Sequence, residues 1–236
     1  MTQKLECVVE QVIAHGDGVY SAVLRPERPL PRFRAGQFLH LAIDPYDSTG
    51  FWPESRVFSI ASAPSERDRV RITYAVHGRF TTRMAAALVE GGNVWIKLPY
   101  GDFVIDSRTD VALFAGGTGV TAFTAFLASL APETTQAVVL AYGARSSRLL
   151  VYKDLVEQCR ARVPNLRVVY FLERDAEHVP GAVPGCVSVD DVWPILRAPA
   201  DTNFYVAGPP AMIDTIGKEL RHRHVAAEMI HVDAWQ

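Results

Sequence analysis

Between Val111 and Pro132 the chain carries no charged side chain, and an apolar run of that length must either cross a bilayer or lie inside a folded domain. Gly116-Gly117-Thr118-Gly119 breaks the run early, and Thr121, Thr124 and Ser129 punctuate the remainder, so a membrane span is rejected. The pattern predicts a buried strand from Val111 to Ala115, a glycine turn, and a helix from about Val120 to Leu130. Unbroken apolarity along such a strand is expected where a parallel sheet is covered on both faces. This segment therefore commits its part of the chain to a parallel sheet packed under helices.

The same rhythm continues to the end. Ala137 to Tyr142, Leu166 to Leu172 and Phe204 to Ala207 read as strands, and Leu149 to Ala161 and Pro210 to Arg221 as helices, an alternation that argues helical crossovers. The front of the chain differs. Cys7 to Ile13, Val19 to Leu24, Gln37 to Ala42, Arg56 to Ala61, Val70 to Tyr74 and Asn93 to Leu98 are short branched or aromatic runs bounded by Gly, Pro and Asp, as in a small antiparallel barrel. Among them Thr81 to Val89 is apolar at helical intervals, with Thr81 or Thr82 placed to start the helix. A chain of 236 residues has room for both parts. The expected fold is an N-terminal antiparallel β-barrel domain, residues 1–106, followed by a Rossmann-like parallel α/β domain, residues 107–236.

Composition excludes several classes. With 24 Lys and Arg against 26 Asp and Glu, the chain lacks the electrostatic footprint of a nucleic-acid binder. Cys7, Cys159 and Cys186 are an odd number at distant positions, which disfavours a disulfide framework, a four-thiolate iron-sulfur cluster and a zinc ribbon, so no metal site is expected. The opening Met1 to Glu6 has neither the apolar core nor the cleavage site of a secretory signal. A cytoplasmic protein with no membrane partner is expected.

Three segments carry the chemistry. In Arg56-Val57-Phe58-Ser59, strand alternation puts Arg56 and Phe58 on one face and Ser59 on the other. A guanidinium can clamp a phosphate, an aromatic can flank a flat ring, and a hydroxyl can bond a ring nitrogen; an amphipathic strand with a surface arginine explains the same residues. Downstream, Gly78-Arg79-Phe80-Thr81 is a glycine turn feeding a helix whose free N–H groups suit an anion. A plain helix cap accounts for its threonines but not for Gly78-Arg79. In the rear part, Gly116-Gly117-Thr118-Gly119-Val120-Thr121 lets backbone approach a pyrophosphate at a helix start, although the spacing is not Gly-x-Gly-x-x-Gly and packing alone can require glycines. Gly208-Pro209-Pro210-Ala211-Met212 follows a strand whose carboxyl end is where open parallel sheets bind ligands, with proline suited to the helix start. A stiff turn is the plain alternative.

Taken together, these residues resemble the ferredoxin-NADP reductase superfamily, in particular its compact bacterial NAD(P)H-flavin reductases and oxygenase reductase subunits. The resemblance covers nearly the whole chain. It implies a flavin site at Arg56, Val57, Phe58 and Ser59, with the Ser59 hydroxyl near the flavin N5 that receives hydride, joined by Tyr74, Val76, Gly78, Arg79, Phe80 and Thr81. Pro99-Tyr100-Gly101-Asp102-Phe103 matches the family's barrel-closing segment. Gly116, Gly117, Thr118, Gly119, Thr121, Gly208, Pro209, Pro210 and Met212 match its pyridine-nucleotide loops. Trp235 matches an aromatic near the family's C-terminus and would cover the flavin face; an indole anchoring the chain end is the other reading.

The departures are informative. Ala207 stands where the family often has a cysteine beside the nicotinamide, which implies slower turnover or a nicotinamide held differently. Arg145 and Arg148, with no acid in Tyr142 to Arg148 to take a ribose diol, lean toward NADPH over NADH, yet relatives that use NADH carry similar arginines. The implied cofactors are FAD, with FMN the alternative, and NADPH or NADH. Hydride would pass directly from nicotinamide to flavin, so His15, His40 and His77 need no catalytic role. The electron acceptor would be separate, a ferredoxin or an oxygenase component. Free flavin as acceptor, and a non-catalytic regulatory subunit, are the competing readings.

Overall fold

The front strands bury alternate side chains. In β1 (Gln3–Gly16) Leu5, Cys7 and Val9 point inward, and in β6 (Asn93–Tyr100) Val94, Ile96 and Leu98 do the same, the period of two that one buried sheet face demands. The computed structural model describes residues 2–105 and 108–233. The chain divides into two units, Met1–Val104 and Ile105–Gln236.

The first unit adds β2 (Val19–Pro26), β3 (Phe38–Ala42), β4 (Ser55–Ser59) and β5 (Val70–Ala75) in the order β4-β3-β6-β1-β2-β5, every pair antiparallel. The edges come close to closing the barrel: just beyond β4, Ala61 N–H donates to the Arg71 carbonyl of β5 at 2.9 Å. Helix α1 (Gly78–Ala87) plugs it with Phe80 and Met84, both buried. This helix starts three residues earlier than the sequence pattern suggests. Its N-cap, His77, makes no side-chain cap bond, and the Thr81 hydroxyl folds back to accept from the His77 N–H and donate to the His77 carbonyl. Thr81 ends the first turn and Thr82 follows it, so both lie within the helix rather than ahead of it.

In the second unit, β7 (Asp110–Gly116) and β8 (Val138–Ala144) are buried at every position, as strands covered on both faces must be. With β9 (Leu166–Leu172), β10 (Val183–Pro184), β11 (Thr202–Ala207) and β12 (Ile230–Val232) they form a sheet of order β10-β9-β8-β7-β11-β12, parallel throughout. The glycine segment after β7 is a 3₁₀ turn, Gly117–Val120, and α2 occupies Thr121–Ser129. Helix α3 (Lys153–Arg162) starts later than the sequence suggests because Tyr152, at φ 65°, breaks the path from Leu149. Helices α4 (Val189–Val192) and α5 (Pro210–His222) complete the crossovers, α5 with Pro209 at its N-cap. Chain order runs outward from β7 to β10 and returns to β11 on the other flank of β7. The topological switch point therefore lies between the carboxyl ends of β7 and β11. No helix among the described residues is long and apolar enough to cross a membrane.

Candidate functional site

In the barrel unit, the predicted residues gather at two places along β4, whose rise of about 3.3 Å per residue separates Arg56 from Ser59 by roughly 10 Å. At the entry end the Arg56 guanidinium lies over the Phe80 ring, 5.0 Å from its centroid, and donates to the Ser55 carbonyl at 2.9 Å. It also donates to Glu54 Oε1 at 3.2 Å, while Arg79 and Arg83 each reach Glu54 Oε2 at 3.4 Å. Arg83 binds Asp44 as well, at 2.8 Å. Phe80 is core and acts as the shelf under Arg56. Gly78 takes φ 78° with open space where a Cβ would project, leaving the first turn of α1 approachable.

At the far end of β4, Ser59 stands directly across from Phe38, which stacks on Tyr100 at 5.9 Å. Val57 faces His40, whose ring meets Tyr100 edge-on at 4.9 Å. Burial, and secondarily the Lys97 charge, lower the His40 pKa. On the opposite face Phe58 packs at the core margin, its ring 6.2 Å from that of Tyr74. The Tyr74 hydroxyl is buried without a hydrogen-bond partner, and burial raises its pKa to about 12. Val76 is anchored through its N–H to the Gly18 carbonyl at 2.8 Å. Arg83, Glu54 and Asp44 escaped the sequence reading. Arg83 was discoverable, since it lies one helical turn beyond Arg79; the two acids come from a loop that carries no signal.

In the α/β unit, the two glycine loops at the switch point are packed into each other. A Cβ on Gly119 would sit 2.4 Å from the Ala207 carbonyl oxygen and 2.7 Å from the Gly208 nitrogen, and one on Gly116 would strike Met212 and Pro209. Thr121 is committed to structure, its hydroxyl donating to the Thr118 carbonyl at 2.8 Å. Gly117 differs: it sits at φ 54°, is half-buried, and has no atom within 4 Å of its Cβ position. Pro209 and Pro210 are exposed, and so is Arg145, beyond the end of β8. An acid does reach this edge, from a different strand than the sequence pattern suggests. Asp175, past β9, accepts from the Ser147 N–H at 2.8 Å and from its hydroxyl at 2.9 Å. Those bonds, the backbone one foremost, lower its pKa. Trp235 lies outside the described residues. No group of three metal-ligating side chains occurs among the described residues.

Residues 113–218 match the family model of the oxidoreductase NAD-binding domain. The chain is 32% identical over 201 residues to the reductase component of phenol 2-monooxygenase from Pseudomonas sp. strain CF600, an alignment covering 81% of this chain and 54% of that protein. It spans about half the length of the curated relatives it matches first. Among solved structures, the FAD/NAD-binding domain of a nitric oxide dioxygenase from Vibrio cholerae superposes with a TM-score of 0.83 at 20% identity, covering 97% of each chain. A ferredoxin NADP+ reductase from Neisseria gonorrhoeae, with bound FAD and NADP, superposes at 0.78 with 19% identity, covering 98% of each. At such identities the structural likeness speaks to the fold.

Proposed function

We propose that this chain belongs to the ferredoxin-NADP reductase superfamily and is a flavin-dependent NAD(P)H oxidoreductase delivering electrons to a separate acceptor, a ferredoxin or an oxygenase component, a reading supported by the NAD-binding family match, the phenol 2-monooxygenase reductase relative and the shared fold. The observation that carries this reading is the guanidinium cluster of Arg56, Arg79 and Arg83 gathered about one carboxylate beside the first turn of α1. Such a set of donors suits a phosphorylated ligand. The Tyr74 hydroxyl, buried and unpartnered beside Phe58, is a further polar group left for a ligand. In the other unit, open space at Gly117, at the switch point, suits a pyrophosphate.

Each group then has a part. Arg56, Arg79 and the N–H groups at Gly78 and Arg79 would hold flavin phosphate. Ser59 would orient the ring edge beside Phe38. The Gly116–Gly119 turn would take the nucleotide pyrophosphate, and Pro210 starts α5 behind Pro209 at its N-cap. A bound flavin would supply an acceptor for nicotinamide hydride and a donor of single electrons. The protein needs no general base for this; it positions and shields. Anaerobic mixing of the flavin-loaded protein with NADPH or NADH tests the proposal: the oxidised flavin band should bleach, and an unchanged band would mark a non-catalytic binding subunit.

A second reading has an observation in its favour. Glu54 already occupies the arginines that would hold phosphate, which suits a flavin that comes and goes as a substrate. Turnover with free FMN, compared against ferredoxins, separates the two.

A further inference from the structure

Three guanidinium groups do not gather unaided. Arg56 comes from β4, Arg79 and Arg83 from successive turns of α1, and like charges at this range repel. What draws them together is Glu54, with Oε1 accepting from Arg56 and Oε2 from both others. Its bonds of 3.2 to 3.4 Å are longer than the roughly 2.7–2.9 Å of a strong charge-assisted pair, so they are readily exchanged. Glu54 lies on the loop before β4 and outside the strand ladder, so it can swing aside without breaking a sheet bond.

We infer that Glu54 is a built-in competitor for the flavin phosphate: it occupies the arginine cradle of the free protein and must give way on binding, which loosens the chain's grip on FAD and FMN. The inference rests on the flavin-binding reading above. Charge supports it. Arg56, Arg79 and Arg83 face Glu54 and Asp44, so a diphosphate entering with two negative charges would leave four negative charges against three positive. With Gln at position 54 the numbers balance. A scaffold role, in which Glu54 merely pre-arranges the arginines for the ligand, predicts the opposite sign.

The test titrates the full chain, freed of flavin, with FAD, FMN and riboflavin, following fluorescence quenching. Glu54→Gln should tighten FAD and FMN by about twofold to fivefold and leave riboflavin, which carries no phosphate, unchanged. Glu54→Ala, which likewise removes the carboxylate, should move the affinities the same way and serves if the Gln variant folds poorly. FAD binding that is unchanged or weaker in these variants overturns the inference, as does equal tightening of riboflavin. If the wild-type chain binds none of the three, the flavin reading itself fails and the inference falls with it, an outcome distinct from normal binding without tightening.

Discussion

On the proposed reading, the two units would meet anions by opposite means. The barrel would do so with side chains: Arg56 is 52% exposed and Arg79 81% exposed, on stems that can move and in water that screens them. The α/β unit would do so with backbone, open at Gly117 and held in place by the close packing that Gly116 and Gly119 permit. A grip built of exposed charges loosens by degrees as charges are removed or salt is added. A grip built of interpacked glycines fails abruptly at Gly119, because the atoms that a Cβ there would meet are main-chain atoms that cannot step aside.

The sharpest way to break this contrast is within one motif. Gly119→Ala sets a Cβ 2.4 Å from the Ala207 carbonyl oxygen, so one loop must shift. The expected cost is about 3 kcal/mol, seen as a lower melting temperature together with loss of NADPH and NADH binding. Gly117→Ala meets no atom within 4 Å and carries only left-handed strain of about 1–2 kcal/mol. Its melting temperature should fall less, while nucleotide affinity still drops because the new methyl enters the approach. If both variants lost stability equally and neither changed nucleotide affinity, the glycines would be there for packing alone.

Next in size is the charged grip. Arg56→Ala removes the guanidinium that lies over Phe80, and the hydrogen bonds of one ionised group are worth about 1.5–3 kcal/mol. FAD affinity measured by titration should fall about tenfold to a hundredfold. Arg79→Ala, starting from a more exposed side chain, should cost less. The same titrations at rising ionic strength should show steady weakening for wild type and a shallower slope for Arg56→Ala. A slope that did not change would mean that Arg56 makes no phosphate contact.

Legibility in the sequence divides the same way. The α/β unit is legible because its candidate site is continuous along the chain: Gly116 to Thr121 and Ala207 to Met212 each combine strand end, turn and helix start. Even there, periodicity cannot reveal that Gly119 is pressed against Ala207, far away by chain. Arg56, Ser59 and Gly78-Arg79 are legible as a pattern. The acids that organise the arginines are not, since Glu54 and Asp44 come from an irregular loop. Asp175 escapes a sequence reading because an acid is expected after β8, whereas the fold supplies one from the end of β9. The start of α1 misleads because Thr81 has the chemistry of a cap, yet its hydroxyl bonds backward from within the first turn.

The smallest effect expected is a pH dependence that also divides between the units. Burial lowers the pKa of His15 and His231, and of His40 with help from Lys97. A histidine whose folded pKa is depressed binds its proton more readily when unfolded. Stability is therefore complete above the unfolded value of about 6.5 and declines as pH falls below it toward the folded values. In the barrel, His15 Nε2 lies 2.8 Å from the Ser21 hydroxyl, which is in turn 2.6 Å from that of Thr73, both buried. In the sheet, His231 Nε2 is 2.8 Å from Asn203 Oδ1, and its ring stacks on Tyr205 at 4.5 Å. Denaturant midpoints should fall between about pH 7.5 and about pH 5.5. The double variant His15→Gln, His40→Gln should flatten that fall more than His231→Gln does, because two of the three depressed groups lie in the barrel. Equal flattening would place the main proton-sensitive contact at the Asn203–His231 pair on the sheet's outer edge.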